Sequence, residues 1–250
     1  MFDSTARFSN RVADYVRYRP GYPSEIIAEL EEFVGLNPAW AVADIGSGTG
    51  KLAELFLDSG CRVSGVEPNR EMREAAEMLL KDATGFLSVD GTAEQTGLES
   101  HEFYLVTAGQ AFHWFDPERA RFEFKRILIP GGWVALIWND RRTTGMQFLD
   151  QYEQLLRGLP EYGAVGHKTA GAMKLKGFFE SEPHVFTVST RQDFGWDGLY
   201  GQALSSSYVP VEGQDGHSSF AKSLREVFDA NQVDGVVSFL YETQMFVGRV

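Results

Sequence analysis

The sequence is poor in cysteine, in basic residues and in long apolar runs, and each shortage excludes a class of protein. Cys61 is the single cysteine among 250 residues, so no intrachain disulfide can form and a reducing, cytoplasmic location is expected. Acidic residues outnumber Lys and Arg by 35 to 23, a net charge of −12. This charge disfavours nucleic acids and anionic membrane surfaces as partners. The apolar run over 133–138 is far too short to span a bilayer.

Metal-binding patterns and a secretory signal are also missing. The five histidines are scattered at positions 101, 113, 167, 184 and 217, and without an HExxH pair or more cysteines they predict no zinc site. The first residues, MFDSTARFSNR, lack the apolar segment of a secretory signal. Hydrophobic residues make up 43% and charged residues 23% of the chain, which is typical of a globular protein with an ordinary core.

Strand and helix patterns alternate through the first part of the chain. Amphipathic helical patterns separate five short apolar segments, which are predicted as strands at 41–45, 62–66, 86–89, 103–108 and 133–138. Strands that alternate with helices predict a parallel sheet with right-handed crossovers. Two later segments, an alternating one at 184–191 and a terminal one at 242–250, are predicted to extend this sheet in antiparallel fashion.

A glycine-rich turn after the first strand carries the strongest functional signal. Residues 44–50 read Asp-Ile-Gly-Ser-Gly-Thr-Gly, and such glycines allow a tight turn and a close approach of a ligand to the backbone. Glu67 ends the next strand, 21 residues after Gly46, where an open α/β sheet places an acid for a pair of ribose hydroxyls. The two features predict a nucleotide-like ligand at the carboxyl edge of the sheet.

Three turn motifs compete for this segment. A P-loop is rejected because Ile45 and Leu52 stand where its pattern needs a glycine and a hydroxyl residue. A GxGxxG dinucleotide motif fits only from Gly48, with Ala53 in the last place, and it leaves an NAD(P)-dependent oxidoreductase as an alternative. The spacing GxGxG, with an acid two residues before it at Asp44, resembles motif I of the class I S-adenosylmethionine-dependent methyltransferases.

This resemblance covers roughly residues 5–140. Val63–Asn69 is similar to the second-strand motif of the family and Asp90–Glu94 to its third-strand loop. Residues 107–116 resemble the segment after strand four in its type 11, trans-aconitate methyltransferase-like subgroup. The resemblance implies an α/β, Rossmann-like sheet of seven mostly parallel strands with an antiparallel last strand, helices on both faces and an N-terminal helical lid.

The resemblance also implies S-adenosylmethionine as cofactor and gives roles to residues at the sheet edge. Glu67 would hold the ribose hydroxyls and Asp44 would order the amino-acid end. The expected cofactor contacts are Asp44, Gly46, Ser47, Gly48, Gly50, Glu67, Pro68, Thr92, Ala93, Ala108, Gly109 and Gln110. The substrate or lid candidates are Tyr15, Arg17, Arg19, Trp114, Asn139 and Tyr208. The polar segment 139–142, Asn-Asp-Arg-Arg, follows the fifth strand at the same sheet edge and is interpreted either as a substrate contact or as a polar loop.

His113 is the candidate catalytic residue, either as a base or as a group that orients the acceptor. Histidine suits proton removal near neutral pH, although the aromatic surroundings over Phe112–Phe115 are equally compatible with an inert, packed ring. If the acceptor is a carboxylate, no base is needed.

We expect an enzyme that transfers a methyl group to oxygen or nitrogen of a small molecule, a carboxylate included, by in-line displacement, and that releases S-adenosylhomocysteine. The protein's task in such a reaction is to position two substrates and exclude water. A non-catalytic protein that binds the cofactor as a sensor or assembly partner fits the same motifs. A monomer or homodimer is expected.

The whole chain, 1–250, is interpreted as one methyltransferase domain. Its N-terminal lid is broken at Pro20–Pro23, because proline interrupts a helix, and Ser24 is the expected N-cap of the following helix. Asn69 and Asp116 are the expected N-caps of two later helices. The four parts are the lid over 1–36, a cofactor-binding core over 37–140, a substrate cap with a late strand over 141–235 and a terminal strand over 236–250.

Overall fold

A computed structural model describes residues 17–162 and 175–250. The strands are β1 (Ala41–Ile45), β2 (Arg62–Val66), β3 (Phe86–Val89), β4 (Phe103–Gly109), β5 (Leu128–Arg141), β6 (His184–Phe194) and β7 (Val237–Gly248). The helices are α1 (Glu25–Val34), α2 (Lys51–Asp58), α3 (Arg70–Leu79), α4 (Pro117–Ile127), α5 (Gln147–Arg157), α6 (Trp196–Leu204) and α7 (His217–Asn231), with a 3-10 turn over Phe112–Trp114.

The seven strands form one sheet in the order β3-β2-β1-β4-β5-β7-β6. Strands β1 to β5 are parallel, and β7 pairs antiparallel with both β5 and β6. The expected mostly parallel sheet with an antiparallel last strand is therefore confirmed. The strand order reverses between β1 and β4, and ligands of open α/β sheets bind in the crevice at such a switch point.

Helices cover both faces of the sheet. Every residue of β1 is buried, as expected for a strand enclosed on two sides. On one face, Leu30 of α1 and Phe56 of α2 pack against β1 and β4; on the other face, Phe124 and Ile127 of α4 do so. Each of these fully buried side chains contributes roughly 1.5–3 kcal/mol to folding.

Two of the three expected helix caps are confirmed. The side chain of Asn69 accepts from the Met72 amide at 2.9 Å. The side chain of Asp116 caps α4 by accepting from the amides of Glu118 and Arg119. Ser24 occupies the N-cap position of α1, as expected, but its backbone is already helical (φ −62°, ψ −22°) and its side chain caps no amide. The Ser24 hydroxyl instead donates to Glu25.

The later part of the chain builds its own apolar cluster. Phe148 of α5, Leu199 of α6 and Phe220 of α7 pack with Phe239 of β7. The sequence pattern missed α6, because two glycines lower its helix propensity. One of them, Gly201, is required by packing, since a Cβ there would collide with the Tyr18 ring.

The strands near this cluster are longer than predicted. β5 runs over Leu128–Arg141, whereas 133–138 was expected; its first part pairs with β4 through Phe103 and Leu128, across the Pro-Gly-Gly segment. β6 continues to Phe194 because it pairs with β7 along its whole length. Over residues 17–162 and 175–250, no helix combines the length and apolar character needed to cross a bilayer.

Candidate functional site

A cavity of about 440 Å³ opens at the carboxyl ends of β1, β4 and β5. Two groups of side chains and backbone segments line it, and we name them by their origin. The glycine-turn half contains Asp44, Gly46, Ser47, Gly48, Gly109 and Gln110. The cap half contains Arg19, Arg141, Tyr152, Gln202, Tyr208 and Tyr241.

The glycine turn follows β1 and is shaped by positive φ angles. Gly46, Gly48 and Gly50 have φ values of 69°, 57° and 84°, which side chains of other residues rarely tolerate. The Val66 carbonyl at the end of β2 accepts from the amide of Gly46 at 2.8 Å. A Cβ on Gly46 would lie 2.5 Å from the Ala111 side chain, whereas nothing lies within 4 Å of a Cβ on Gly48. The turn thus presents bare backbone to the cavity at Gly48.

Glu67 fastens this turn to the next helix. One oxygen, Oε2, accepts from the Gly48 amide at 3.0 Å, and the other, Oε1, accepts from the Asn69 amide at 2.9 Å. Burial raises the pKa of Glu67, opposed by these two amides and by Arg73. Glu67 therefore lies beside the turn, and it is not among the residues that line the cavity. This bridging contact was not expected from the sequence.

Asp44 is the buried acid of the site. Its side chain is 1% exposed, and Thr107 of β4 donates to its Oδ1 at 3.1 Å. Its Oδ2 is buried and has no hydrogen-bond partner in the described part of the chain. Burial raises the pKa of Asp44 to about 7; the Thr107 hydroxyl and the Ala53 backbone amide oppose this increase, and the charge of Glu67 adds to it. A buried acceptor without a partner is costly, so this oxygen favours a ligand that donates to it.

Gln110, directly after β4, and Asn139, near the end of β5, line the cavity next to each other. Gln110 has a left-handed φ of 55°, a strain of roughly 1–3 kcal/mol for such a residue. Its amide donates to Ile137 at 2.8 Å, and its Nε2 donates to the Asn139 carbonyl at 2.6 Å. Asn139 in turn donates to the Gly21 carbonyl at 3.0 Å. The strained backbone and the segment before α1 are thereby fixed to the end of β5.

His113 and Trp114 lie on the 3-10 turn after β4, and both line the cavity. Their ring centroids are 4.9 Å apart. His113 is half-buried, whereas Trp114 is 40% exposed. His113 thus faces the same space as the glycine turn, and its place near a bound acceptor stays a prediction.

Arginine and tyrosine side chains form the cap half. Arg19 donates from Nη2 to Ser206 Oγ at 3.2 Å. Arg141 donates from Nη2 to Glu153 at 2.7 Å, and its guanidinium lies 4.9 Å from the Tyr152 ring centroid. The sequence pointed to Arg19 and Tyr208, and to Arg141 within the polar segment 139–142. It missed Tyr152, Gln202 and Tyr241, which come from separate elements and belong to no local motif.

The cavity brings together eleven of the expected residues: Arg19, Asp44, Gly46, Ser47, Gly48, Gly109, Gln110, His113, Trp114, Asn139 and Tyr208. Of the others, those that the structure describes lie outside the cavity wall. Gly50 is the buried residue before α2, Ala93 and Ala108 are buried in the core, and Pro68, Thr92 and Arg17 are exposed. Tyr15 lies outside the described residues. The roles of all these side chains remain predictions.

Comparison with known proteins identifies relatives of the chain. The family described as "Methyltransferase domain" matches residues 43–136. An uncharacterized methyltransferase of Schizosaccharomyces pombe is 30% identical over 238 residues, which cover 92% of this chain and 91% of the relative. An uncharacterized methyltransferase of Mycobacterium tuberculosis is 39% identical over 141 residues, or 56% of this chain and 54% of the relative. The chain thus matches about half the length of the mycobacterial relative.

A solved structure from Anaeromyxobacter dehalogenans, provisionally named a type II methyltransferase, shares the fold. It superimposes with a TM-score of 0.69 at 24% identity, covering 93% of this chain and 98% of the other. The likeness extends over the cap as well as the core, so the cap helices belong to the shared architecture.

Proposed function

The chain belongs to the S-adenosylmethionine-dependent methyltransferases, and from this premise we propose that it methylates a small-molecule acceptor bound in the cap half of the cavity. The proposed acceptor atom is oxygen or nitrogen, and the second product is S-adenosylhomocysteine. The finer assignment, to the type 11 and trans-aconitate methyltransferase-like subgroup, is part of this proposal and rests on residues 107–116.

The observation that carries the proposal is the buried Oδ2 of Asp44, which lacks a hydrogen-bond partner in the described chain. S-adenosylmethionine carries an ammonium group, and a carboxylate that lines the cavity would accept from it. The open space at the Gly48 Cβ position lets a ligand approach the turn closely. The residues present therefore fit the cofactor.

We assign the remaining cofactor contacts by position. Gly109 and Gln110 would meet the methionine portion, and Glu67 would take the ribose hydroxyls with the lone pairs that its two amide contacts leave. The expected neighbours of the adenine are Thr92 and Ala93.

The cofactor supplies a methyl group bound to a positively charged sulfur. The protein's part is to align the acceptor with that carbon, about 3–3.5 Å away and opposite the sulfur, and to keep water out. His113 would take the acceptor proton when the acceptor is an alcohol or a protonated amine, and would orient the acceptor when it is already ionised. Trp114 would cover part of the cavity opening.

The test measures turnover directly. The protein is incubated with S-adenosylmethionine and a panel of small acids, alcohols and amines, and S-adenosylhomocysteine is quantified by mass spectrometry. We expect acceptor-dependent formation of S-adenosylhomocysteine. S-adenosylhomocysteine should also raise the melting temperature, because a ligand that binds only the folded state stabilises it.

Two outcomes would contradict the proposal. A melting temperature that rises with NAD(H) and not with S-adenosylhomocysteine would favour an oxidoreductase. Tight binding of S-adenosylhomocysteine without methyl transfer to any panel member would favour a non-catalytic cofactor sensor. We propose a cytoplasmic location on the basis of the single cysteine, and a monomer or homodimer as the state of assembly.

A further inference from the structure

Residues 19–22, directly before α1, cross from one half of the cavity to the other, and we call them the strap. Arg19 and Tyr22 both line the cavity. In the cap half, Arg19 donates from Nη2 to the Ser206 hydroxyl at 3.2 Å. In the glycine-turn half, the Tyr22 phenol lies against Gly109, where a Cβ would collide with it. The position of the strap therefore shapes the cavity wall in both halves.

A side chain of β5 fixes the strap to the sheet. Asn139 donates from Nδ2 to the Gly21 carbonyl at 3.0 Å. Because a carbonyl can only accept, the amide nitrogen of Asn139 has to face Gly21 and the amide oxygen has to face the other way. This oxygen, Oδ1, accepts from the Thr243 hydroxyl of β7 at 3.2 Å. The orientation of Asn139 is thus set from both ends of its amide.

Thr243 lies behind this contact and is not part of the cavity wall. It is the cross-strand partner of Asn139 in the antiparallel pair of β5 and β7. Thr243 is 1% exposed and Asn139 is 8% exposed, so water has little access to the hydrogen bond between them. A buried oxygen that loses its donor is costly. Thr243 can therefore control the strap without contact to a ligand.

We propose that Thr243 is a positioning residue for the methyl-transfer reaction: its hydroxyl orients the Asn139 amide, and this amide holds the strap across both halves of the cavity. The inference rests on the proposed function, and it gives Asn139 the role of an anchor for the strap. A small displacement of groups that line a site lowers affinity and rate, because the bound molecules lose their alignment.

The first experiment measures the affinity for S-adenosylhomocysteine by titration calorimetry. Valine resembles threonine in shape but lacks the hydroxyl, whereas serine keeps the hydroxyl. Thr243→Val should raise the dissociation constant by about three- to tenfold, and Thr243→Ser should stay within about twofold of the wild-type value. Rescue by serine would separate the hydrogen bond from the packing of the side chain.

Ser238→Ala is the matched control on the same strand. Ser238 is also buried, and its hydroxyl donates to Asp193 at 2.6 Å, a contact that does not reach the strap. The substitution should lower the melting temperature by an amount comparable with Thr243→Val. It should nevertheless leave the affinity for S-adenosylhomocysteine within about twofold of wild type.

Cleavage by chymotrypsin after Tyr18 reports on the strap without any ligand. The Tyr18 ring packs against Gly201, so the protease reaches this bond only when the chain next to the strap has opened, and the cleavage rate follows the open fraction. Mass spectrometry of the new N-terminus at Arg19 measures this rate. Thr243→Val should be cleaved about three- to tenfold faster than wild type, and Ser238→Ala at the wild-type rate.

A double-mutant cycle shows whether Thr243 acts through Asn139. Asn139→Ala alone and Asn139→Ala combined with Thr243→Val should weaken S-adenosylhomocysteine binding equally, because the hydroxyl then has no amide to orient. The proposal is overturned if Thr243→Val binds like wild type, if Thr243→Ser is as impaired as Thr243→Val, or if the two substitutions are additive. Failure of the cofactor proposal would appear separately, as missing binding of S-adenosylhomocysteine to the wild-type protein, and the cleavage rates would still test the anchor.

Discussion

The two halves of the cavity are built in opposite ways. The glycine-turn half comes from short segments directly after β1 and β4, and its shape depends on backbone conformation at Gly46, Gly48 and Gln110. The cap half consists of side chains that are far apart in the sequence, such as Arg19 and Arg141. Few substitutions are expected to preserve the backbone shape of the glycine-turn half. A single substitution in the cap half, by contrast, can change the side chains that meet a substrate.

This contrast explains the different chemistry of the two halves. In the glycine-turn half, a carboxylate oxygen of Asp44 is buried without a partner in the described chain, which suits a donor such as an ammonium group. In the cap half, Arg19, Arg141 and Tyr241 supply donors. The two halves thus differ in the polar groups that they present to the cavity.

The largest effect is expected from a substitution at Gly46, where the turn has no space for a side chain. Gly46→Ala adds a Cβ 2.5 Å from Ala111 at a φ of 69°, and should cost about 2–4 kcal/mol of unfolding free energy and abolish binding of S-adenosylhomocysteine. Gly48→Ala carries a similar backbone strain but meets no neighbour, so it should cost only about 1–2 kcal/mol. Urea unfolding compares the two variants, and equal losses would contradict the packing role of Gly46.

The second prediction concerns the carboxylate that fastens the turn. Glu67→Gln removes a charge-assisted contact to Gly48 and should weaken S-adenosylhomocysteine binding by roughly 10–100-fold. Glu71→Gln, an exposed change at the start of α3, is the control and should leave affinity unchanged. Titration calorimetry measures both. An unaltered affinity in Glu67→Gln would remove Glu67 from the cofactor site.

The third prediction concerns the role of His113 in the cavity. His113→Ala should lower kcat by at least about tenfold if the ring takes or orients the acceptor proton, while the affinity for S-adenosylhomocysteine stays within about twofold of wild type. Steady-state kinetics with an acceptor found in the panel provides the measurement. If kcat is unchanged, His113 only packs against Trp114.

The smallest effect is a pH dependence from Asp44. Its pKa is raised from 3.8 to about 7, so the stability that its protonation contributes is complete below 3.8 and is lost as the pH rises through about 7. The unliganded protein should therefore melt at a lower temperature near pH 8 than near pH 6, and a cationic ligand should bind up to about tenfold more tightly at the higher pH.

Asp44→Asn is the control for this dependence. It removes the titrating group, so both trends should become flat between about pH 6 and pH 8. A persistent trend in the variant would assign the pH dependence to another group.

The local patterns predicted most of the core correctly, and their failures have physical causes. The caps at Asn69 and Asp116 were readable because a cap depends on residues within one helical turn. Ser24 lies at the expected N-cap position, but its helical backbone leaves its side chain without a capped amide. The helix α6 was missed because Gly201, a poor helix former, is required there by its contact with Tyr18, 183 residues away in the sequence.

The sequence by itself determined the glycine turn, the strands β1 to β4 and the acids Asp44 and Glu67, because spacing within one strand–turn–helix unit controls these features. Only the tertiary structure decided that Glu67 braces the turn beside the cavity, and that Arg19, Arg141 and Tyr241 meet in the cap half. The reason is that side chains from distant segments come together through strand order and packing, which no local pattern encodes.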